Sequence, residues 1–151
     1  MAKKICQQLG LPFSPLKTQK YANGCFEVFL DEVVSQKIVF LIQTSVSQTL
    51  HRDLWELFQM VSAASRFGAK EVMVIMPYIS YARSDKIHDF GMTISGKLLV
   101  ELLEASGMRG FIGIDFHSTL FEKFFSKAKV YHLSALPLIA NYLETKNLEN
   151  V

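Results

Sequence analysis

Cysteine is scarce: Cys6 and Cys25 are the only two in 151 residues, and they form no CxxC pair. Nothing near either offers zinc-ligand spacing, so a metal knuckle and a redox dithiol are both set aside, and reduced thiols fit a cytoplasmic protein. An excess of one charge is also lacking. Sixteen Lys and Arg oppose fourteen Asp and Glu, a formal net charge of +2, and no basic stripe interleaves with aromatics. A nucleic-acid partner is therefore not expected. No apolar run approaches the ~20 residues that cross a bilayer. The opening MAKKICQQLG has no apolar centre of the signal-peptide kind, so no membrane association is expected. Internal repeats, low-complexity tracts, a Ser/His/Asp order and a glycine-rich phosphate loop of either standard pattern are all missing as well.

What is present is apolar: half of the residues are hydrophobic, enough for one domain with a substantial core. Two stretches organise it. Residues 72–86 read VMVIMPYISYARSDK and residues 111–117 read FIGIDFH, each a short apolar run that breaks abruptly into polar residues. Strands of a parallel sheet are buried on both faces and read this way, and the loops at their carboxyl ends hold ligands. If both runs lie in one sheet, Arg83, Asp85 and Lys86 emerge on the same edge as Asp115 and His117.

Ala2 to Leu9 has helix-forming composition and stops at Gly10. Leu16–Tyr21 and Cys25–Leu30 flank Ala22-Asn23-Gly24, and Asn-Gly is a hairpin signal because both residues tolerate positive φ. Phe26, Val28 and Leu30 then share one face. Ile38–Ile42 reads as a strand, and Ser47 or Thr49 as the cap of a helix from Leu50 to Phe67. That helix buries Leu54, Leu57, Phe58, Val61 and Ala64 and ends at Gly68. Trp55 falls off the stripe, which places it either over a helical neighbour or in a subunit contact. After Val72–Met76, Ser84–Met92 has no periodicity and reads as a mobile loop. Ser95 is the expected cap of a helix over Gly96–Ser106, followed by a strand at Phe111–Ile114, a short helix at Thr119–Phe125, a strand at Val130–Leu133 and a helix at Pro137–Lys146. Strands alternating with helices specify an α/β fold with a parallel sheet and right-handed crossovers.

The polar residues on the sheet edge admit two readings each. Arg83 with Lys86 suits a polyphosphate, because a guanidinium is a planar fork of donors and lysine adds a point charge. The plainer alternative is a solvated loop with an Arg–Asp ion pair. Asp115 and His117 alternate, so on an extended segment both would point one way and share an ion or ligand, magnesium suiting the carboxylate better. The alternative is that Asp115 caps the following helix while His117 fills the sheet edge. His51 and His132 have no acidic or cysteine partner at ligand spacing and receive no role.

Taken in order, PYISYARSDK, TISGKLLVELLEASG and IDFHS followed by FF resemble the amino-terminal domain of ribose-phosphate pyrophosphokinase, the PRPP synthetase family, whose patterns are PYxxYARQD, PISAKLxAxLLExAG and DLHxxQIQGFF. The resemblance runs from about Leu9 to Tyr142. It implies a phosphoribosyltransferase-like three-layer α/β domain with a small β-hairpin, spanning residues 1–151, with the first strand and a carboxyl-terminal domain absent. It further implies diphosphoryl transfer from ATP to ribose 5-phosphate with Mg2+ in a cytoplasmic homo-oligomer, ribose 5-phosphate being bound through the missing second domain. By the same resemblance Arg83 and His117 are catalytic and contact ATP, and Asp115 and His117 lie at the magnesium site. Ser84, Asp85 and His88 join the ATP contacts, and Tyr21, Asn23, Gly24 and Cys25 match the FxDGE segment that reaches a neighbouring subunit's adenine. Asn23 and Cys25 replace two carboxylates there, Ser84 a glutamine, Leu120 and Glu122 the two glutamines of QIQ, and Ser126 an aspartate. These substitutions support an alternative, a non-catalytic regulatory or scaffolding subunit. The chain alone is expected to form no AMP from ATP and ribose 5-phosphate.

Overall fold

The structure, a computed structural model, describes residues 1–46 and 48–146. In chain order it consists of α1 (Ala2–Leu9), β1 (Leu16–Lys20), β2 (Phe26–Leu30), β3 (Ile38–Ile42), α2 (Leu50–Arg66), β4 (Glu71–Met76), α3 (Ser95–Ser106), β5 (Gly110–Ile114), α4 (Thr119–Glu122), β6 (Lys129–Leu133) and α5 (Leu136–Glu144). The strands β3-β4-β5-β6 form one parallel sheet in that order, while β1 and β2 pair antiparallel as a separate hairpin. The α/β class expected from the sequence is the observed one.

Parallel register fixes which residues share a face. Val74 lies beside Leu41 and Phe111, and Phe111 beside Val130. That face carries α2 and α3, and Leu57, Val61, Val74, Met76, Val100, Leu103, Phe111 and Phe121 are sealed from solvent in one core. Each such side chain contributes roughly 1.5–3 kcal/mol relative to an exposed one. The stripe along α2 is as its period requires, with Met60 added and Phe58 only partly covered. On the opposite face Ile38, Phe40, Tyr131 and Leu133 stay about half exposed.

Side chains of α2 fasten the hairpin: Thr18 donates to the Glu56 carboxylate at 3.2 Å, the Arg52 guanidinium lies 5.5 Å over the Phe26 ring, and Gln59 holds the β2 backbone. Gln59 donates to the carbonyl of Phe26 at 3.0 Å and accepts from the N–H of Val28 at 3.1 Å, so an amide side chain takes the place of a neighbouring strand. The turn uses the expected tolerance of positive φ at one residue of the two. Only Gly24 has positive φ, 85°, and the Gly24 N–H donates to the Tyr21 carbonyl at 3.0 Å. This is an ordinary turn closed by a left-handed glycine, which makes Tyr21 and Cys25 part of the connection.

Several ends are also corrected. Ser95 is the first residue of α3 and caps nothing; its N–H instead donates to the Ser84 hydroxyl, while the Gly96 N–H donates to the Ser84 carbonyl. The short helix stops at Glu122, because the chain turns at Lys123 and Phe124 to bury Phe121. Thr49 occupies the cap position of α2 and donates to the Asp53 carboxylate at 3.1 Å; Ser47 lies outside the described residues. Trp55 is 58% exposed with its ring edge-on to Phe58.

Candidate active site

Because β4 and β5 are adjacent and parallel, the chain leaves Met76 and Ile114 on one edge of the sheet. The two exits enclose a cleft of about 200 Å³ lined by Tyr78, Ile79, Arg83, Asp115, Phe116 and His117 among others. Position follows topology here, since ligand crevices of open α/β sheets form outside the carboxyl ends of strands.

The first exit is anchored at each turn. The Ser80 hydroxyl donates to the Ser45 carbonyl at 2.8 Å, both residues buried, tying this loop to the one after β3. Tyr81 follows with φ 62°, a left-handed conformation that costs a bulky residue ~1 kcal/mol or more. Its hydroxyl is 2.8 Å from Nε2 of His51, on the first turn of α2. Ser84 caps α3, as described, and Gly96 lets this happen: a Cβ there would stand 2.9 Å from the Tyr81 carbonyl oxygen and 3.0 Å from that of Ser84. Asp85 points inward, 6% exposed, and accepts a 2.6 Å hydrogen bond from the Ser118 hydroxyl. That bond is the largest influence on its carboxyl, and with Lys86 nearby it outweighs burial and holds the pKa below the ordinary 3.8. With its neighbours turned inward, Arg83 is left exposed at the cleft, and among the described residues no ion pair or hydrogen bond engages it. The Arg–Asp pair considered from the sequence does not form.

The second exit is sharper than an extended segment. Asp115 has φ 46°, so the expected alternation of Asp115 and His117 along a strand is broken at its first residue. Asp115 still lines the cleft, as does exposed His117. Its carboxylate accepts from the Ser134 hydroxyl at 2.8 Å and from the Ala135 N–H at 3.1 Å, so it caps α5 rather than the helix that follows it directly. Each carboxylate oxygen retains a further lone pair. Among the described residues no group of three His, Cys, Asp or Glu side chains could cage a metal.

Other residues singled out in the sequence lie apart. Tyr21, Asn23 and Cys25 sit at the exposed hairpin tip, and the cleft lining includes none of them. There the Cys25 N–H donates to the Asn23 side-chain carbonyl at 3.1 Å. The Tyr21 hydroxyl donates to Glu27 at 2.8 Å, a bond that raises the phenol's pKa. His88 is exposed within the irregular Ser84–Met92 segment. Conversely, Ser80 and Ser118 support the cleft without having been assigned a role, and His132, given none for want of an acidic partner at ligand spacing, has the Glu122 carboxylate 2.7 Å from its Nδ1. Ser118 follows His117 directly and could have been suspected; the partners of His132 arise only from strand pairing.

Comparison with known proteins identifies the family. Residues 1–107 match the family described as the N-terminal domain of ribose phosphate pyrophosphokinase. A Streptomyces coelicolor protein named for ribose-phosphate pyrophosphokinase is 36% identical over 148 residues, covering 98% of this chain and 46% of that protein. Ribose-phosphate pyrophosphokinase 1 of Streptococcus agalactiae is 33% identical over 98% of this chain and 45% of its own length. The crystal structure of phosphoribosylpyrophosphate synthetase from Mycobacterium smegmatis superposes with a TM-score of 0.88 at 29% identity, over 95% of this chain and 47% of that one. The chain thus spans about half the length of the curated relatives it matches. With this match over most of its residues, the chain belongs to the ribose-phosphate pyrophosphokinase family, to the part that forms the amino-terminal domain.

Proposed function

We propose that this chain supplies the nucleotide- and magnesium-binding part of a ribose-phosphate diphosphokinase, which transfers the diphosphoryl group of ATP to ribose 5-phosphate for nucleotide biosynthesis. The observation that carries the proposal is the convergence of Arg83, Asp115 and His117 on one cleft at the carboxyl ends of two adjacent parallel strands. Arg83 offers unengaged donors for phosphate oxygens, and His117 adds a second polar contact from the facing loop. Diphosphoryl transfer makes few covalent demands on a protein; it needs the phosphates held in line and their charge neutralised.

Magnesium fits this donor set. It is commonly bound through one or two carboxylates with waters and substrate phosphates completing the shell, and Asp115 presents such a carboxylate with lone pairs to spare. Asp115, with His117 beside it, would hold the ion, which supplies charge neutralisation of the phosphates when bound. Tyr21, Asn23 and Cys25, which are not among the lining of the cleft, would serve a second copy in a homo-oligomer. Ser84 and Asp85 serve ATP indirectly, by shaping the loop that presents Arg83, and His88 would meet it from the exposed segment. Residues 1–151 are read as one amino-terminal domain, with ribose 5-phosphate bound through a second domain.

A non-catalytic regulatory or scaffolding subunit is the second reading, favoured by Asn23 and Cys25 at the hairpin tip, where a nucleotide-reaching segment would carry carboxylates. Titration of the chain with ATP and Mg2+ separates the two. Saturable binding that weakens about ten- to a hundred-fold on Arg83→Ala, the worth of one or two charge-assisted hydrogen bonds, is expected. No detectable binding by the parent chain favours the second reading. Equal affinity of the parent, Arg83→Ala and His117→Ala proteins places the nucleotide elsewhere.

A further inference from the structure

His132 lies on β6 directly beside Gly113 of β5, outside the lining of the cleft. Its Nδ1 is 2.7 Å from the Glu122 carboxylate, and its Nε2 accepts the Phe116 N–H at 3.1 Å. The imidazole also stacks on the Phe116 ring, centroids 4.3 Å apart and planes within 7°. A carboxylate only accepts and an amide N–H only donates, so these two partners select the tautomer with its proton on Nδ1. Both ring nitrogens and one ring face are thereby committed to a single arrangement.

What that arrangement holds is the turn of the cleft. Phe116 stands between Asp115 and His117, and it can fold back over β5 because residue 113 has no side chain: a Cβ there would be 2.0 Å from Cε1 of Phe116. Asp115, in its left-handed conformation, is fixed on the other side by Ser134 and Ala135. Without His132 the Phe116 amide would lose its acceptor and the ring its stacking partner, and the stretch from Asp115 to His117 would keep the Asp115 anchors and the looser contacts of the Phe116 ring with Phe111 and Phe121.

We propose that His132 is a positioning residue: by accepting the Phe116 N–H and stacking on its ring, it sets where Asp115 and His117 stand in the cleft. The consequence for ligand binding rests on reading that cleft as the site of ATP and Mg2+; the latch itself does not. A histidine that merely stabilised β6 would affect unfolding and leave the folded cleft as it was.

Two variants of the full chain divide its contributions. His132→Phe keeps a stacking ring and removes the acceptor, whereas His132→Gln can return an acceptor oxygen near the position of Nε2. With thermal unfolding used to confirm that each variant is folded, the Phe variant is expected to exchange its Phe116 amide about ten-fold faster, the worth of one hydrogen bond. It is also expected to shift the His117 ring resonances and to bind ATP with Mg2+ about ten-fold more weakly. His132→Gln should recover most of each change. Folded variants with wild-type exchange at Phe116 and unmoved His117 resonances overturn the proposal, whereas faster exchange accompanied by unchanged affinity overturns its consequence for ligand binding and keeps the latch. If the wild-type chain binds no nucleotide, the functional reading of the cleft falls, yet exchange at Phe116 and the His117 resonances still decide for or against the latch.

Discussion

Replacing Glu104 tests how firmly the sheet edge behind the cleft is held. Glu104 lies on the inner side of α3, 5% exposed. At Oε1 it accepts the N–H groups of Ser126, Lys127 and Ala128 at 2.9, 2.8 and 2.9 Å, and at Oε2 the Ser126 hydroxyl at 2.6 Å. These residues lead into β6, so one carboxylate sets where that strand begins. Charge-assisted bonds contribute ~1.5–3 kcal/mol each. Ser126 and Lys127 are exposed, so their amides regain water once the carboxylate is gone, which reduces the cost of Glu104→Ala to ~3–4 kcal/mol. Glu104→Gln preserves the oxygen that serves three amides and allows the serine hydroxyl to reverse, so only charge assistance is lost, ~1 kcal/mol. Burial alone would raise the Glu104 pKa, but the hydrogen bonds from Ser126, Lys127 and Ala128 outweigh it and hold it below the ordinary 4.5. A depressed carboxyl pKa contributes stability that is complete above the unfolded-state value and is lost as pH falls through the folded one. The wild-type protein should therefore lose this contribution below about pH 4.5, and the Gln variant should have none to lose. Urea unfolding followed by circular dichroism, at neutral pH and in acid, measures both. An Ala variant within ~1 kcal/mol of wild type, or a Gln variant with the full acid response, would refute the clamp.

Gly96→Ala drives a methyl group against two backbone carbonyls of the Tyr81–Ser84 turn. It should cost ~2–3 kcal/mol in thermal unfolding and weaken ATP binding through displacement of Arg83; a variant unchanged in both shows that the turn has room to spare. Ser118→Ala removes the hydrogen bond that most lowers the Asp85 pKa, so a carbon-detected titration should find that carboxyl raised toward or above 3.8. Since Asp85 contributes its stability above the unfolded-state value and loses it as pH falls, the variant should also tolerate acid no worse than wild type relative to its own neutral-pH stability. An unmoved Asp85 pKa contradicts the assignment.

The elements were legible in the sequence because burial imposes periods that composition cannot hide. The α2 stripe is one face of a helix, and the runs at Val72–Met76 and Phe111–Ile114 are the inner strands of the sheet, buried on the face that carries the helices and partly covered on the other. Their parallel adjacency was enough to bring Arg83, Asp115 and His117 to one edge. What escaped was chemistry created by contacts distant in the chain. The α3 cap is Ser84, eleven residues before Ser95, and no local pattern distinguishes it from the serine already at the helix start. A single left-handed residue, Asp115, cancelled the alternation that would have aligned it with His117, and aspartate tolerates that conformation without advertising it. His132 shows the limit most clearly. Ten residues separate it from Glu122 and sixteen from Phe116, spacings that signify nothing along the chain. Only the pairing of β5 with β6 sets His132 beside Gly113, where the one missing side chain admits the Phe116 ring. The polar residues that line the cleft are therefore legible from their types and their place after strands, whereas the contacts that hold them are written in strand register.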